Sequence, residues 1–189
     1  MKERYETDRL YLLPARQEMA QMIAIYYQKN RAFFAQFDPD REESFFTEEY
    51  QRQTLLQDEE NRENATGFRF YIVRKECPDT IIGMISLNNV IWGCFCSCFL
   101  GYKLDKDWLR QGFMSEAVKE CVRIGFEELG LHRIEANIMP HNAASLGVAR
   151  KCGFVEEGLG RKYLKINGVW EDHLHMVRLN EPEVMGEKK

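Results

Sequence analysis

The chain has 189 residues, 44% of them hydrophobic and 30% charged, with a net charge of −4. That length predicts a single domain over residues 1–180 with a charged tail at 181–189, burying roughly 70% of the surface that the unfolded chain exposes. The composition excludes a disordered polypeptide, the acidic balance disfavours a general nucleic-acid binder, and no apolar run nears the ~20 residues of a membrane helix.

Residues 1–7 hold no apolar segment of the kind a secretory signal needs, so a cytoplasmic location is expected. The six cysteines are then expected as reduced, buried structural thiols. Cys94, Cys96 and Cys98 alternate, which in a strand sets their sulfurs on one face, and Cys121 and Cys152 fall at apolar helical positions. The C-x₂-C spacing of zinc knuckles is absent, and no metal is expected.

Residues 9–13 predict a first strand closed by Pro14. Met19, Met22, Ile23 and Tyr26 recur at helical spacing over 17–28, and a second short helix is expected over 31–37, before Asp38-Pro39. Thr47 is a natural cap for a third, charge-rich helix reaching Glu63. The β-branched and aromatic runs 68–75 and 81–90 predict a hairpin turning at Cys77-Pro78-Asp79, and 95–104 a further strand after Trp92-Gly93.

From Met114 the period becomes helical, with Ala117, Val118, Cys121, Val122, Phe126 and Leu129 on one stripe that ends at Gly130. Residues 133–138 alternate, with Ile134, Ala136 and Ile138 on one face and Arg133, Glu135 and Asn137 on the other. Asn142 is an N-cap for a helix to Lys151, stopped by Gly153. Two last strands, 160–166 and 170–179, meet at the hairpin turn Asn167-Gly168.

One segment carries chemistry. Residues 102–117 run from a strand through a basic turn into a helix start, where unpaired backbone N–H groups and a partial positive charge converge. Gly112 lets the main chain approach a ligand closely, and Arg110 adds a guanidinium suited to phosphate oxygens. The segment reads as an anion cradle for a pyrophosphate, or as a strand–turn–helix corner with a structural glycine. It matches neither G-x-x-x-x-G-K-[ST] nor G-x-G-x-x-G.

The order of elements, with the fragments Thr7-Asp-Arg-Leu10, Gly83-Met-Ile-Ser86, Gly112-Phe-Met-Ser-Glu-Ala117, His132-Arg-Ile-Glu-Ala-Asn137, Asn142, Ser145, Gly153-Phe-Val155 and Asn167-Gly-Val-Trp170, resembles the GNAT acetyltransferase superfamily. Within it the chain resembles the RimJ/RimL-type branch, which acetylates protein N-termini. The resemblance implies an α/β (α+β) fold: a mixed, mostly antiparallel sheet of about seven strands, splayed in the middle and flanked by helices on both faces.

It also implies acetyl-CoA as co-substrate and no metal. The family's pyrophosphate signature falls on Leu109, Arg110, Gln111, Gly112, Phe113 and Met114, followed by Ser115; only the glycine keeps the pattern. The pantetheine arm is expected to pair with the strand edge from Tyr102 to Leu104, with Asn142, Ser145 and Lys151 in the same cofactor set. The resemblance gives Ser145 the departing CoA sulfur. A tyrosine acid four residues before Gly153-Phe154 is excluded, because Ala149 stands there.

Glu135 and Asn137 are the other catalytic candidates. Some relatives carry a basic glutamate where Asn137 stands, and the RimL branch has one near Leu164, so Glu135 or a water chain is left as base. His132 and His141 are expected to be non-catalytic, and Asp172 either orients the acceptor or forms an ion pair. The expected acceptor is an N-terminal α-amine, Ala or Ser first. A small cationic amine drawn by the acidic 38–49 stretch and a non-catalytic acyl-CoA-binding module are the alternatives, as monomer or homodimer, with neither membrane nor nucleic-acid contact.

Overall fold

The computed structural model describes residues 2–181. Eight strands form one sheet: β1 (Tyr5–Glu6), β2 (Leu10–Pro14), β3 (Phe68–Arg74), β4 (Cys77–Ile91), β5 (Ser97–Leu104), β6 (Arg133–Ile138), β7 (Val155–Ile166) and β8 (Val169–Leu179). Their spatial order is β1-β2-β3-β4-β5-β6-β8-β7, antiparallel throughout except for the parallel pair β5–β6. The two-residue β1 is the strand beyond the expected seven. The charged tail lies, from residue 182 onward, outside the described residues.

Helices α1 (Ala20–Phe34) and α2 (Glu48–Glu63) cover one face of the sheet over a core that includes Ile23, Tyr27, Leu55, Tyr71, Val73 and Met84. Helices α3 (Phe113–Arg123) and α4 (Ala143–Lys151) cover the other over Ile72, Ile85, Leu100, Val118, Ile134 and Met176. Alternating strand residues feed the two cores, as the two-residue side-chain period requires.

The feature that makes a site is a split in this sheet. β5 pairs with β6 only from Ser97–Arg133 to Phe99–Glu135, while on its other side it follows β4 as far as Leu104–Gly83. Beyond Phe99 and Glu135 the two strands part. The backbone edge of β5 from Gly101 to Leu104 faces the resulting V without a strand partner.

Several local expectations change. The two predicted helices at 17–37 are one: a 3-10 turn (Gln17–Met19) leads into α1, which continues unbroken through Lys29-Asn30. Asn30 is tolerated there because its buried amide donates to the Tyr26 carbonyl and accepts from the Lys106 N–H. The β3–β4 turn lies at Lys75-Glu76, not at Cys77-Pro78-Asp79; Arg74 pairs with Cys77 and Val73 with Ile81, so Pro78 sits in a bulge where no ladder N–H is needed.

Cys94 and Cys96 precede β5, and Cys96 has φ +42°, so the three alternating sulfurs do not share a strand face. Cys98, Cys121 and Cys152 are buried as expected, but Cys77 and Cys94 are exposed. β7 begins at Val155, well before Gly160. The α3 stripe ends in a π turn (Ile124–Glu128) before Gly130. The caps of α2 by Thr47 and of α4 by Asn142 stand as read, each accepting from an N–H in the first turn.

Candidate active site

β5 ends where Asp105, buried and paired with Lys29 at 2.7 Å, caps a 3-10 turn (Lys106–Trp108) by accepting from the Asp107 N–H. The chain then turns through Arg110 at φ +59° and Gly112 at φ +82° into α3. Two left-handed residues this close form a concave run of main chain, and glycine carries the more open one without strain. α3 has no side-chain cap, and its first intrahelical bond is donated by the Glu116 N–H, so the N–H groups of its first turn are left for an anion.

The cradle is clamped from the N-terminal segment. Arg9 donates to the Gln111 carbonyl at 3.0 Å and to Glu116 at 2.8 Å, its guanidinium lies 4.3 Å from the Phe113 ring centre, and Thr7 adds a hydroxyl bond to Glu116 at 2.5 Å. Burial pushes the Glu116 carboxyl up, but the hydrogen bonds from Thr7 and Arg9 outweigh it and hold the carboxyl below its ordinary range. Phe113 and Met114 are buried in the core with Ser115 beneath the turn, so these positions offer main chain; Leu109, Arg110 and Gln111 are exposed. Met114 thus departs from the family pattern to fill the core.

At the mouth of the V, α4 meets β5. The Asn142 side chain accepts from the Ser145 N–H at 3.1 Å, fixing the first turn of α4. The Ser145 hydroxyl donates to the Tyr102 phenol oxygen at 2.9 Å, and that phenol donates to the Ser145 carbonyl at 2.9 Å. Burial pushes the Tyr102 pKa up to about 12, against the lowering effect of the Ser145 hydroxyl.

Across the V, on the sheet face that α1 shares, β6 presents Glu135 and Asn137. Glu135 accepts from Arg133 at 2.6 Å and from His175 Nδ1 at 2.8 Å. Burial raises the Glu135 pKa, but these two hydrogen bonds and the charges behind them hold it below the usual carboxylate range. Asn137 stands opposite His175 in the β6–β8 register and approaches the Tyr163 hydroxyl at 3.4 Å, while its Oδ1 is buried with no partner among the described residues.

The segment after α1 rims this face. Asp38 pairs with Lys103 of β5, Phe37 stacks with His141 beyond β6, and the Asn167 amide of the β7–β8 turn donates to the Ala35 carbonyl at 2.8 Å.

Residues 9–155 match the family model described as an acetyltransferase (GNAT) domain. The chain belongs to the GNAT acetyltransferase family. It is 43% identical to a probable N-acetyltransferase, YjcK, of Bacillus subtilis over 80% of this chain and 83% of that one. It is 34% identical to the ribosomal protein uS5-alanine N-acetyltransferase of Escherichia coli over 96% and 93% of the two chains. The crystal structure of ribosomal-protein-S5-alanine acetyltransferase from Vibrio fischeri superposes with a TM-score of 0.90 at 35% identity, covering 94% of this chain and 97% of that one. The protein is an N-acetyltransferase with a GNAT fold.

Within the GNAT frame, Tyr102, Leu104, 109–115, Asn142 and Ser145 gather around the V and the start of α3. Lys151 stands at the other end of α4, about 9 Å along the helix from Ser145. Its neighbour Cys152 contacts the Ser115 carbonyl at 3.4 Å, and with Lys119, Cys152 and Arg178, Lys151 lines a groove of about 590 Å³. His132 is an exposed turn residue and Asp172 accepts from the Lys162 N–H. The buried thiols Cys98, Cys121 and Cys152 all have pKa values pushed up by burial and stay protonated.

Sequence reading missed His175, Tyr163 and the role of Arg9. The period-two pair His173 and His175 in a predicted strand was the available signal for the first.

Proposed function

We propose that this chain, as one acetyltransferase domain over residues 1–180, transfers acetyl from acetyl-CoA to the α-amine of a protein N-terminus by direct attack, with Ala or Ser as the first residue. Three features fit the donor. The uncapped α3 start with its glycine accommodates a pyrophosphate, and the open edge of β5 offers main-chain partners to an amide arm. Ser145, at the mouth of the V with Asn142 holding its helical turn, has a hydroxyl that we assign to the departing sulfur. Bound acetyl-CoA would supply an activated thioester. The buried thiols, kept protonated, are poor nucleophiles, which favours direct attack over an acyl-enzyme.

The α-amine reading is carried by the electrostatics of the acceptor face. Its carboxylate, Glu135, is held below the usual range by Arg133 and His175 and is therefore a weak base. An α-amine, with a pKa near 7.7–8.0, is roughly a fifth neutral near pH 7.3, whereas lysine, near 10.4, offers roughly one part in a thousand. An acceptor that is already neutral needs no strong base. The Escherichia coli and Vibrio fischeri relatives, named for ribosomal-protein alanine, lend support. The small-cation alternative keeps only half of its acidic stretch free of ion pairs, because Asp38, Glu43 and Glu48 are paired with Lys103, Arg31 and Arg52.

Transfer to matched peptides is the test. Peptides beginning Ala or Ser are expected to be acetylated faster than the same peptides with a blocked N-terminus and one free lysine, and the rate should rise with pH until the α-amine is neutral. Equal or faster transfer to the lysine peptide or to spermidine would overturn the reading.

A further inference from the structure

We propose that Tyr102 is a positioning residue for Ser145, holding its hydroxyl in the mouth of the V and backing it with a second hydrogen-bond donor as charge develops on the departing sulfur. This deepens the reading above and rests on the role it gives Ser145.

The geometry is a closed two-bond ring between the Tyr102 phenol and the hydroxyl and backbone carbonyl of Ser145, 43 residues away in the chain. The Tyr102 phenol has one proton, and two oxygens of Ser145 lie within reach: the carbonyl, to which it donates at 2.9 Å, and the hydroxyl, from which it accepts at 2.9 Å. The Ser145 proton is therefore directed at Tyr102 while the V is empty of negative charge. When that hydroxyl turns to a thiolate, its lone pairs come free, and the phenol proton can swing from the carbonyl to Ser145 Oγ. The result is a chain from Tyr102 to Ser145 to sulfur in which each donor polarises the next.

The phenol keeps its proton throughout. At a pKa of about 12 it is a weaker acid than an ordinary thiol, near 8.5, so the thiolate does not deprotonate it. In the balanced step the amine nitrogen bonds to the acetyl carbon, the carbon–sulfur bond breaks with its electron pair on sulfur, and the nitrogen releases a proton to water. Sulfur is stabilised by the chain and later takes a proton from water. Tyr102 and Ser145 end as they began.

Burial gives the arrangement its rigidity. The Tyr102 ring packs against the core between β5 and α4, so the hydroxyl cannot follow solvent, and the Asn142 cap fixes the turn that carries Ser145. Both partners are thus preorganised, the condition under which a donor acts on the transition state.

A double-mutant cycle tests this with acetyl-CoA and an Ala-initiated peptide. Tyr102→Phe is expected to lower kcat about tenfold while leaving the KM for acetyl-CoA within about twofold of wild type, because the lost bond forms mainly as sulfur departs. In a Ser145→Ala background the same substitution should change kcat no further. Equal losses in both backgrounds, an intact kcat, or a rise in KM alone would overturn the proposal. A loss below about tenfold for Ser145→Ala by itself would overturn the Ser145 role, and this proposal with it; a full Ser145 effect with an additive Tyr102 effect would overturn this proposal alone. If Tyr102→Phe does not fold, 3-fluorotyrosine at position 102 keeps the ring and strengthens the donor. It should then raise kcat in the wild-type background and leave it unchanged with Ala at 145; no change in either would overturn the proposal.

Discussion

On the side of the V that we assign to the cofactor, the strand edge, turn and helix start all come from residues 102–117, and what they offer a ligand is largely main chain. On the side that we assign to the acceptor, Glu135 comes from β6, Tyr163 from β7 and His175 from β8, and what they offer is side chain. A site built from main chain is expected to tolerate changes of side chain, such as Leu109 and Met114, provided the backbone keeps its path. The second depends on the identity of each group and on the register that brings them together.

The junction of the two halves should be the most sensitive point. Ser145→Ala is expected to lower kcat by about 10²–10⁴-fold with the KM values for both substrates little changed, since its contact forms in the transition state; steady-state kinetics checks this. If KM rises instead, Ser145 belongs to the donor half.

The backbone character of the donor half predicts a different signature. Gly112→Val places a β-branched residue at φ +82°, a conformation that costs such residues of order 1–3 kcal/mol. The shift in melting temperature given by acetyl-CoA should be lost, while the unliganded protein still melts cooperatively. An undiminished shift would remove the cradle.

On the acceptor half, a Cβ added at Gly160 would lie 2.6 Å from His175 Nε2, so the imidazole must move. Gly160→Ala is expected to raise the KM for the peptide about three- to tenfold, the size of a disturbed polar contact, and to leave the acetyl-CoA melting shift intact. Loss of that shift would mean that the two halves are not separable.

The smallest expected effect is on stability in acid. The Glu116 carboxyl, hydrogen-bonded to Thr7 and Arg9, is held below its ordinary 4.5 in the folded protein. A carboxyl depressed on folding stabilises the fold above its unfolded value, and that contribution disappears as pH falls through the folded one. Wild type should melt higher than Glu116→Gln at neutral pH, and the gap should close as pH drops below 4.5. A gap that is constant with pH would show that the clamp works by shape alone.

Much of this was legible in the chain because it is local. The caps at Thr47 and Asn142, the alternation of residues 133–138, the turn at Asn167-Gly168 and the glycine-led start of α3 each depend on neighbours within a few residues, and each stands in the structure. Where local signals misled, tertiary contacts had intervened. Asn30 is a weak helix residue until its amide finds Tyr26 and Lys106, and the β3–β4 turn moved off Pro78 because the ladder could bulge around it.

What the sequence by itself determined was most of the elements, the caps at Thr47 and Asn142, the turn at Asn167-Gly168 and the glycine-led corner before α3, because hydrophobic period and backbone preference act over one or two turns of chain. What only the tertiary structure decided was which side chains meet: Arg9 with Glu116, Tyr102 with Ser145, and Glu135 with His175. Those pairs lie 107, 43 and 40 residues apart. The strand order β6-β8-β7 sets His175 beside Asn137, and the early parting of β5 from β6 opens the V that Tyr102 spans to reach α4. Such pairings follow from register and crossing, which are properties of the whole sheet and leave no period in the chain.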